Sequence, residues 1–458
     1  MHHTVHRLIL AFVLLTATAP LLSAQEVVKP TLSQVRWAHA EWGALFHYDL
    51  HVFDNRRYNQ QWNRNHPIED VSIFNPDSLD TDEWIEAVAK AGGKFALLTA
   101  MHETGFALWQ SDANPYCMRL LPWEKGRGDI VARFVASCRK YGVLPGLYVG
   151  IRWNSHLGVH DFAVDEGNTR ITQAGYRRMC EKIVEELCSR YGELFMIWFD
   201  GGADDPAGLG PDVEPIVKRL QPQCLFYHNA LRADVRWGGS ESGMVGYPCY
   251  STFPHPYSHR PRTETGDYLQ LLSHGDASGG YWVPAMADTP LRGAAGRHEW
   301  FWEPDDENSL YSVEQLTQIY ENSVGRNATL VLGLAPNPHG LLSQGDCQRL
   351  AQWRDTLQVR YGHPLGSSSV LGTVSLLSLA APVKASRYCV QEDIAGGERI
   401  RAYRVEAFTP QGWRVLDSGT AVGHKRIASF KAVTSSLFRL TVDSAVASPV
   451  ITNFAIFE

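Results

Sequence analysis

From Trp42 to Tyr361 the chain repeatedly sets a short, unbroken apolar run ahead of a segment with helical spacing, and this alternation constrains the fold more than any other feature of its 458 residues. Six runs stand out: Gly43–His47, Lys94–Ala100, Leu144–Val149, Leu194–Phe199, Leu225–His228 and Thr329–Leu334. Their apolar residues follow one another without polar alternation, the pattern of strands buried on both faces in a parallel sheet. Between them, Thr81–Ala91 carries Trp84, Ile85, Val88 and Ala89 on one stripe. Gln173–Tyr191 carries Tyr176, Met179, Ile183, Leu187 and Tyr191 on another. Such stripes belong to helices packed on a core. Repeated βα units of this number predict an α/β fold, a (β/α)8-like (TIM-type) barrel whose site collects at the C-terminal ends of its strands. The pattern alone leaves a doubly wound sheet open as the alternative.

Beyond Gly362 the texture changes to Ser, Val, Thr and Gly, with alternating runs at Arg399–Phe408, Gly412–Leu416 and Ser436–Val442. That predicts a C-terminal β-sandwich over residues 362–458, behind a catalytic barrel over 25–361. Residues 1–24 carry one basic residue, Arg7, an apolar stretch from Leu8 to Leu22, and small residues at Ser23 and Ala24. This reads as a signal peptide and predicts export to a periplasm or the medium. The stretch is too short for a comfortable membrane span, and no Cys follows Ala24 to carry a lipid anchor.

The formal net charge of −7 and the lack of a basic run argue against a nucleic-acid partner. Eight Cys are too sparse for a disulfide scaffold, although export would allow one or two bridges. There is no HExxH, CxxC pair or acidic calcium loop, so no metal or other cofactor is expected; GxSxG and GxxxxGK[ST] are absent as well.

Polar residues at strand ends are held rigidly and are the first candidates for chemistry. The run Leu194–Phe199 ends in Asp200–Gly201–Gly202 behind Trp198. The second strand ends in Met101–His102–Glu103–Thr104–Gly105–Phe106, with Trp109 following, and the first ends in His47–Tyr48–Asp49. Histidines and aromatics converging on a barrel mouth suit a sugar, because they supply hydrogen bonds and a flat apolar face. Carboxylate chemistry is what remains, and glycoside hydrolysis uses a pair of carboxylates. Asp200 is one candidate; Glu241, in a Gly-rich loop after Arg236–Trp237, is the other.

Five ordered segments, FNPDSLDTDEWIEAVAKAGGKFALLTAMHETGFALWQS, GRGDIVARFVASCRKYGVLPGLYVG, YGELFMIWFDGG, DVRWGGSESG and SVGRNATLVLGLAPNPHG, resemble the α-L-fucosidases of glycoside hydrolase family 29. The β-rich tail resembles the sandwich of the branch acting on α-1,3/1,4-linked fucose. The resemblance implies a retaining exo-glycosidase with Asp200 as nucleophile and Glu241 as acid/base. Its alternatives for the acid/base are Asp267, Asp276, Asp288, Glu299 and Glu303. It further implies a sugar pocket of His47, Trp62, His102, Glu103, Trp109, Tyr148, Trp198 and Arg236, with a fucosylated glycan or polysaccharide as partner. The motif AKHHDGF reads AMHETGF in this chain, Gln61 precedes Trp62, and Met286 stands in a WVPAExD-like segment. An acceptor-only carboxylate at Glu103 would reverse the donor pattern at one hydroxyl. The readings are therefore an α-L-fucosidase, a glycosidase for a related sugar such as α-L-galactose, or a sugar-binding protein.

Overall fold

The computed structural model describes residues 27–204, 207–257, 265–295 and 300–458. Eight strands form one parallel sheet: β1 (Trp42–Phe46), β2 (Phe95–Met101), β3 (Leu144–Val149), β4 (Met196–Trp198), β5 (Leu225–Tyr227), β6 (Arg236–Trp237), β7 (Ala285–Pro290) and β8 (Thr329–Leu334). Their order is β5-β4-β3-β2-β1-β8-β7-β6, so chain order and ring order coincide, and every pairing is parallel. The seam between β5 and β6 is bridged by Asp234. Its N–H donates to the Phe226 carbonyl at 3.0 Å and its Oδ2 accepts the Phe226 N–H at 2.8 Å. A doubly wound sheet has two free edges and a reversal of strand order; this ring has neither, and the fold is the (β/α)8-type barrel.

The helices are α1 (Leu32–Ala40), α2 (Gln60–Asn65), α3 (Thr81–Ala91), α4 (Ile130–Tyr141), α5 (Gln173–Arg190), α6 (Glu214–Leu220), α7 (Gly266–His274), α8 (Val313–Asn322) and α9 (Gln344–Tyr361). Helix α3 shows how local sequence sets them. Asp80 accepts the Asp82 and Glu83 N–H groups at its start, and Gly92 ends it at φ +94°, a backbone that glycine adopts without strain. Its buried face presents Trp84, Ile85 and Val88, with the Trp84 ring 5.5 Å from that of Phe46. Strand residues divide by parity. Ala44 and Phe46 of β1 pack under the helices. Leu45 joins Leu97, Met196, Leu225, Met286 and Val331 in the barrel lumen. Each such side chain, fully buried, contributes about 1.5–3 kcal/mol.

Two barrel strands went unanticipated. β6 is two residues long, and β7 reads AMADTP, with an acid, small residues and a proline in place of a β-branched run. Both are held by parallel neighbours rather than by their own propensity.

Six further strands, β9 (Gly366–Leu371), β10 (Val374–Glu392), β11 (Ile400–Thr409), β12 (Gly412–Gly419), β13 (Arg426–Ala445) and β14 (Val450–Phe457), pair antiparallel in the order β9-β14-β10-β13-β11-β12. Register shifts between Ser378 and Val383 and between Ala385 and Arg387 let the two longest strands curve. The sheet folds as a β-sandwich around Leu377, Tyr388, Tyr403, Phe438, Leu440 and Phe454.

The sandwich grips the long connection between β6 and β7. Glu398 accepts the Ser251 N–H at 3.0 Å and the Asn327 amide at 2.5 Å. The Tyr247 hydroxyl donates to the Ala421 carbonyl at 3.1 Å, beneath the Arg426 guanidinium 3.9 Å from its ring. All eight cysteines are free thiols, so no bridge staples either unit. No helix among the described residues is long and apolar enough to cross a membrane. The expected leader, residues 1–24, lies outside the described residues.

Candidate active site

The two-residue period of a strand puts alternate side chains into the lumen, and the last lumen position of each strand stands at the mouth. Along β4 this series is Met196, Trp198 and then Asp200, one step past the strand; along β7 it is Met286 and then Asp288. By the same rule Leu45 of β1 is followed by His47, and Tyr148 closes β3. His102 follows β2, and Phe301 packs edge-on to it with ring centroids 4.9 Å apart. Together the outermost of these side chains line one concave cavity at the mouth of the barrel. Glu241 enters it from the loop after β6 and Trp300 from the loop after β7.

Three carboxyl groups, Asp200, Glu241 and Asp288, face this one space. Burial raises the Asp200 pKa, and the charge of Glu241 adds to the effect. The Tyr148 hydroxyl, which faces the carboxylate, and the Arg64 guanidinium pull it back down. Burial and the charge of Glu241 raise the Asp288 pKa well above its ordinary value, and its Oδ1 accepts the Trp237 indole N–H at 2.8 Å. The Trp300 indole donates to Glu241 Oε2 at 3.2 Å and fixes its rotamer. Both imidazoles are neutral: burial lowers His47 to about 3 and His102 well below its ordinary value. His102 lies stacked on Tyr148, centroids 5.3 Å apart, and its Nδ1 has no protein partner among the described residues. Neutral imidazoles, a phenol and indoles around an ionisable carboxylate form a site for a polyhydroxylated ring, with one nucleophilic oxygen and one proton donor at hand.

His47, His102, Tyr148, Trp198, Asp200 and Glu241, expected from sequence, thus meet at one cavity. Four other expected residues do not line it. Trp62 sits on the outer face of α2, 45% exposed and stacked on His66, while Gln60 of the same helix reaches the cavity. Trp109 is buried under α5, its indole donating to Glu186 Oε2 at 2.9 Å. Arg236 is wholly buried; its Nε donates to the Leu272 carbonyl at 2.7 Å and its other nitrogens to the Val283 carbonyl and Cys249 Sγ. Glu103 lies behind the wall, 4% exposed, with Tyr58 donating to Oε1 at 2.6 Å and Arg64 Nε to Oε2 at 2.7 Å. Met286, too, is sealed in the lumen.

Among the alternative proton donors within the described residues, only Asp288 shares the cavity. Glu303 is buried accepting the Tyr58 N–H at 2.9 Å, and Asp276 caps a turn by accepting the Ser278 N–H. Asp267 belongs to the first turn of α7, and Glu299 lies outside the described residues. Tyr58, Gln60, Trp300 and Phe301 were not anticipated, since they stand in loops or a short helix without periodicity. No cluster of three or more His, Cys, Asp or Glu among the described residues is arranged to hold a metal ion.

The sequence profile of the family described as Alpha-L-fucosidase matches residues 23–360. Among characterised sequences, alpha-L-fucosidase 1 of Arabidopsis thaliana is 28% identical over 473 residues, covering 93% of this chain and 87% of that protein. A crystal structure from Bacteroides thetaiotaomicron, assigned by name to the α-L-fucosidases, superposes with a TM-score of 0.92 at 56% identity, covering 94% of this chain and all of that one. A glycoside hydrolase 29 family member from an unknown rumen bacterium superposes with a TM-score of 0.79 at 27% identity, covering 94% and 77% of the two chains. The chain belongs to the α-L-fucosidase family of glycoside hydrolases, family 29.

Proposed function

We propose that this protein is an exported, retaining exo-α-L-fucosidase acting on terminal fucose of oligo- or polysaccharides. The observation that carries the reading is the pair Asp200 and Glu241 on one cavity, close enough for the charge of Glu241 to raise the Asp200 pKa. In the first step an Asp200 oxygen attacks C1 of the sugar and the C1–O bond to the leaving group breaks. The departing oxygen takes the proton of Glu241. In the second, Glu241, now a carboxylate, takes a proton from water as that water attacks C1 and releases Asp200. Retention needs the two carboxyl groups about 5–5.5 Å apart. His47 and His102, neutral and each able to donate one hydrogen bond and accept another, hold hydroxyls, while Trp300 and Phe301 cover an apolar ring face.

The test is nitrophenol release from p-nitrophenyl α-L-fucoside and α-L-galactoside by the purified protein and its Asp200→Ala variant. Asp200-dependent turnover of the fucoside is the expected result. Preference for the galactoside would replace fucose by the related sugar, and release from neither, with a fucosylated glycan panel also silent, would leave a binding protein. Export is tested by N-terminal sequencing of the mature chain, which should begin just after Ala24.

A further inference from the structure

Outward from the catalytic cavity a second hollow continues, sharing Asp200, Glu241 and Asp288 at its inner end. Among the described residues its outer wall holds no carboxylate; it is made by Arg64, Arg152, Trp153, Tyr227, His228 and Trp237. We propose that this hollow is the leaving-group subsite and that it takes a sugar bearing an anionic substituent, a carboxylate or a sulfate ester, gripped by Arg64 and Arg152. The proposal rests on the reading of Asp200 and Glu241 as the bond-breaking pair, because that places the departing oxygen at the hollow's inner end.

The geometry of Arg64 carries the argument. Its guanidinium lies over the Trp153 ring, Cζ 3.6 Å from the centroid, and its Nε is tied to Glu103 Oε2 at 2.7 Å. Neither Nη group has a hydrogen-bond partner among the described residues, and Arg64 lines both this hollow and the neighbouring cleft of Asn65, His156 and Arg170, so the fork keeps two donors for a ligand. Such a fork matches a carboxylate or sulfate in a bidentate pair. Arg152 stands on the same ring at 4.7 Å, with Nε on Asp161 at 2.6 Å and Nη1 on the Gly201 carbonyl at 3.0 Å, which leaves Nη2 to the hollow.

This also explains what Glu103 does in place of a sugar contact. It is a positioning residue: buried, with each oxygen taken by one donor, it holds the Arg64 fork edge-outward and the Tyr58 hydroxyl in the wall of the inner cavity. Without that anchor Arg64 would keep its charge but lose its direction, and direction is what a bidentate contact requires.

The test is calorimetric titration of the full chain with D-galactose, D-galacturonate and D-galactose 6-sulfate, each up to ~50 mM, at low and high salt. At least one anion is expected to bind about tenfold or more tighter than galactose, and the preference should shrink as salt rises. Which anion wins distinguishes carboxylate from sulfate. Arg64→Met and Arg152→Met should each cut the preference. Glu103→Gln should weaken it, and Arg64→Lys should restore only part of what Arg64→Met loses. Circular dichroism and thermal melts establish that each variant is folded, and two independent arginines guard against one failing. Equal binding of all three sugars, no measurable binding of either anion, or a preference that survives both methionine variants overturns the proposal. Asp200-dependent fucoside turnover reports on the bond-breaking pair separately, so the two readings fail by different results.

Discussion

Arg236 offers a sharp separation of sequence reasoning from structure, because the motif around it reads as sugar-binding while its side chain is sealed inside the barrel wall. The perturbation is Arg236→Met, which keeps volume and removes the guanidinium. Three contacts go: Nε to the Leu272 carbonyl at 2.7 Å, Nη1 to the Val283 carbonyl, and Nη2 to Cys249 Sγ at 3.3 Å. Two main-chain carbonyls are then left buried without donors, at a cost of about 1–3 kcal/mol each. Relief of the buried charge's own desolvation offsets part of this. The three lost contacts together, less that relief, cost about 3–5 kcal/mol net, a large share of the ~5–15 kcal/mol that holds a domain together. At roughly 2 °C per kcal/mol for a large domain the melting temperature should fall by about 6–10 °C. The assay is thermal melting by circular dichroism, paired with KM for p-nitrophenyl fucoside on the fraction that remains folded. A melting temperature within about 1 °C of wild type, together with a KM raised about tenfold, would refute the placement and return Arg236 to the substrate.

Trp109→Phe should cost about 1–2 kcal/mol, read in a denaturant melt, because Glu186 loses one donor; KM should not move. Glu41, on the barrel, is held at about 2 by His424 and Lys425 of the sandwich against an ordinary 4.5. Its folded pKa is depressed, so its stabilisation is complete above pH 4.5 and disappears as pH falls toward 2. The stability gap between wild type and Glu41→Gln, a few kcal/mol at neutral pH, should therefore close over that window in a series of urea melts. Asp288→Asn keeps the oxygen that accepts the Trp237 indole N–H and should keep kcat within about tenfold of wild type. Glu241→Gln should lose about 10²–10⁴-fold on a substrate with a poor leaving group. Comparable losses for the two would make Asp288 the proton donor.

The parts of the fold that were legible in the sequence are those where burial on both faces leaves a continuous apolar record: β2, β3 and β8 were read to within a residue or so. β7 left no such record, since Ala285, Ala287 and Asp288 satisfy a narrow lumen and a polar mouth rather than a β-propensity. At the site, Asp200 was legible because it is simply the next lumen position after Met196 and Trp198. Trp62 misled because a short helix between loops has no tertiary phase in its sequence, and two residues decide whether a side chain meets the cavity or the solvent; Gln60 met the cavity. Glu103 misled differently. Its position beside the pocket was right, but what it touches depends on Tyr58 and Arg64, residues far enough upstream that no local pattern ties them to it.

The grip of the sandwich on the β6–β7 connection limits how this protein can be rearranged. That connection leaves the strand carrying Arg236, bears Glu241, and is then fastened at Tyr247 and Ser251 by Ala421 and Glu398. Removing the sandwich would take away the strut under the loop that bears Glu241. The C-terminal unit is therefore not an exchangeable accessory. Grafting it from a relative would succeed only if the donor's Glu398, Ala421 and Arg426 equivalents came with a matching tyrosine and serine on the barrel, so the two halves are expected to diversify as a matched set.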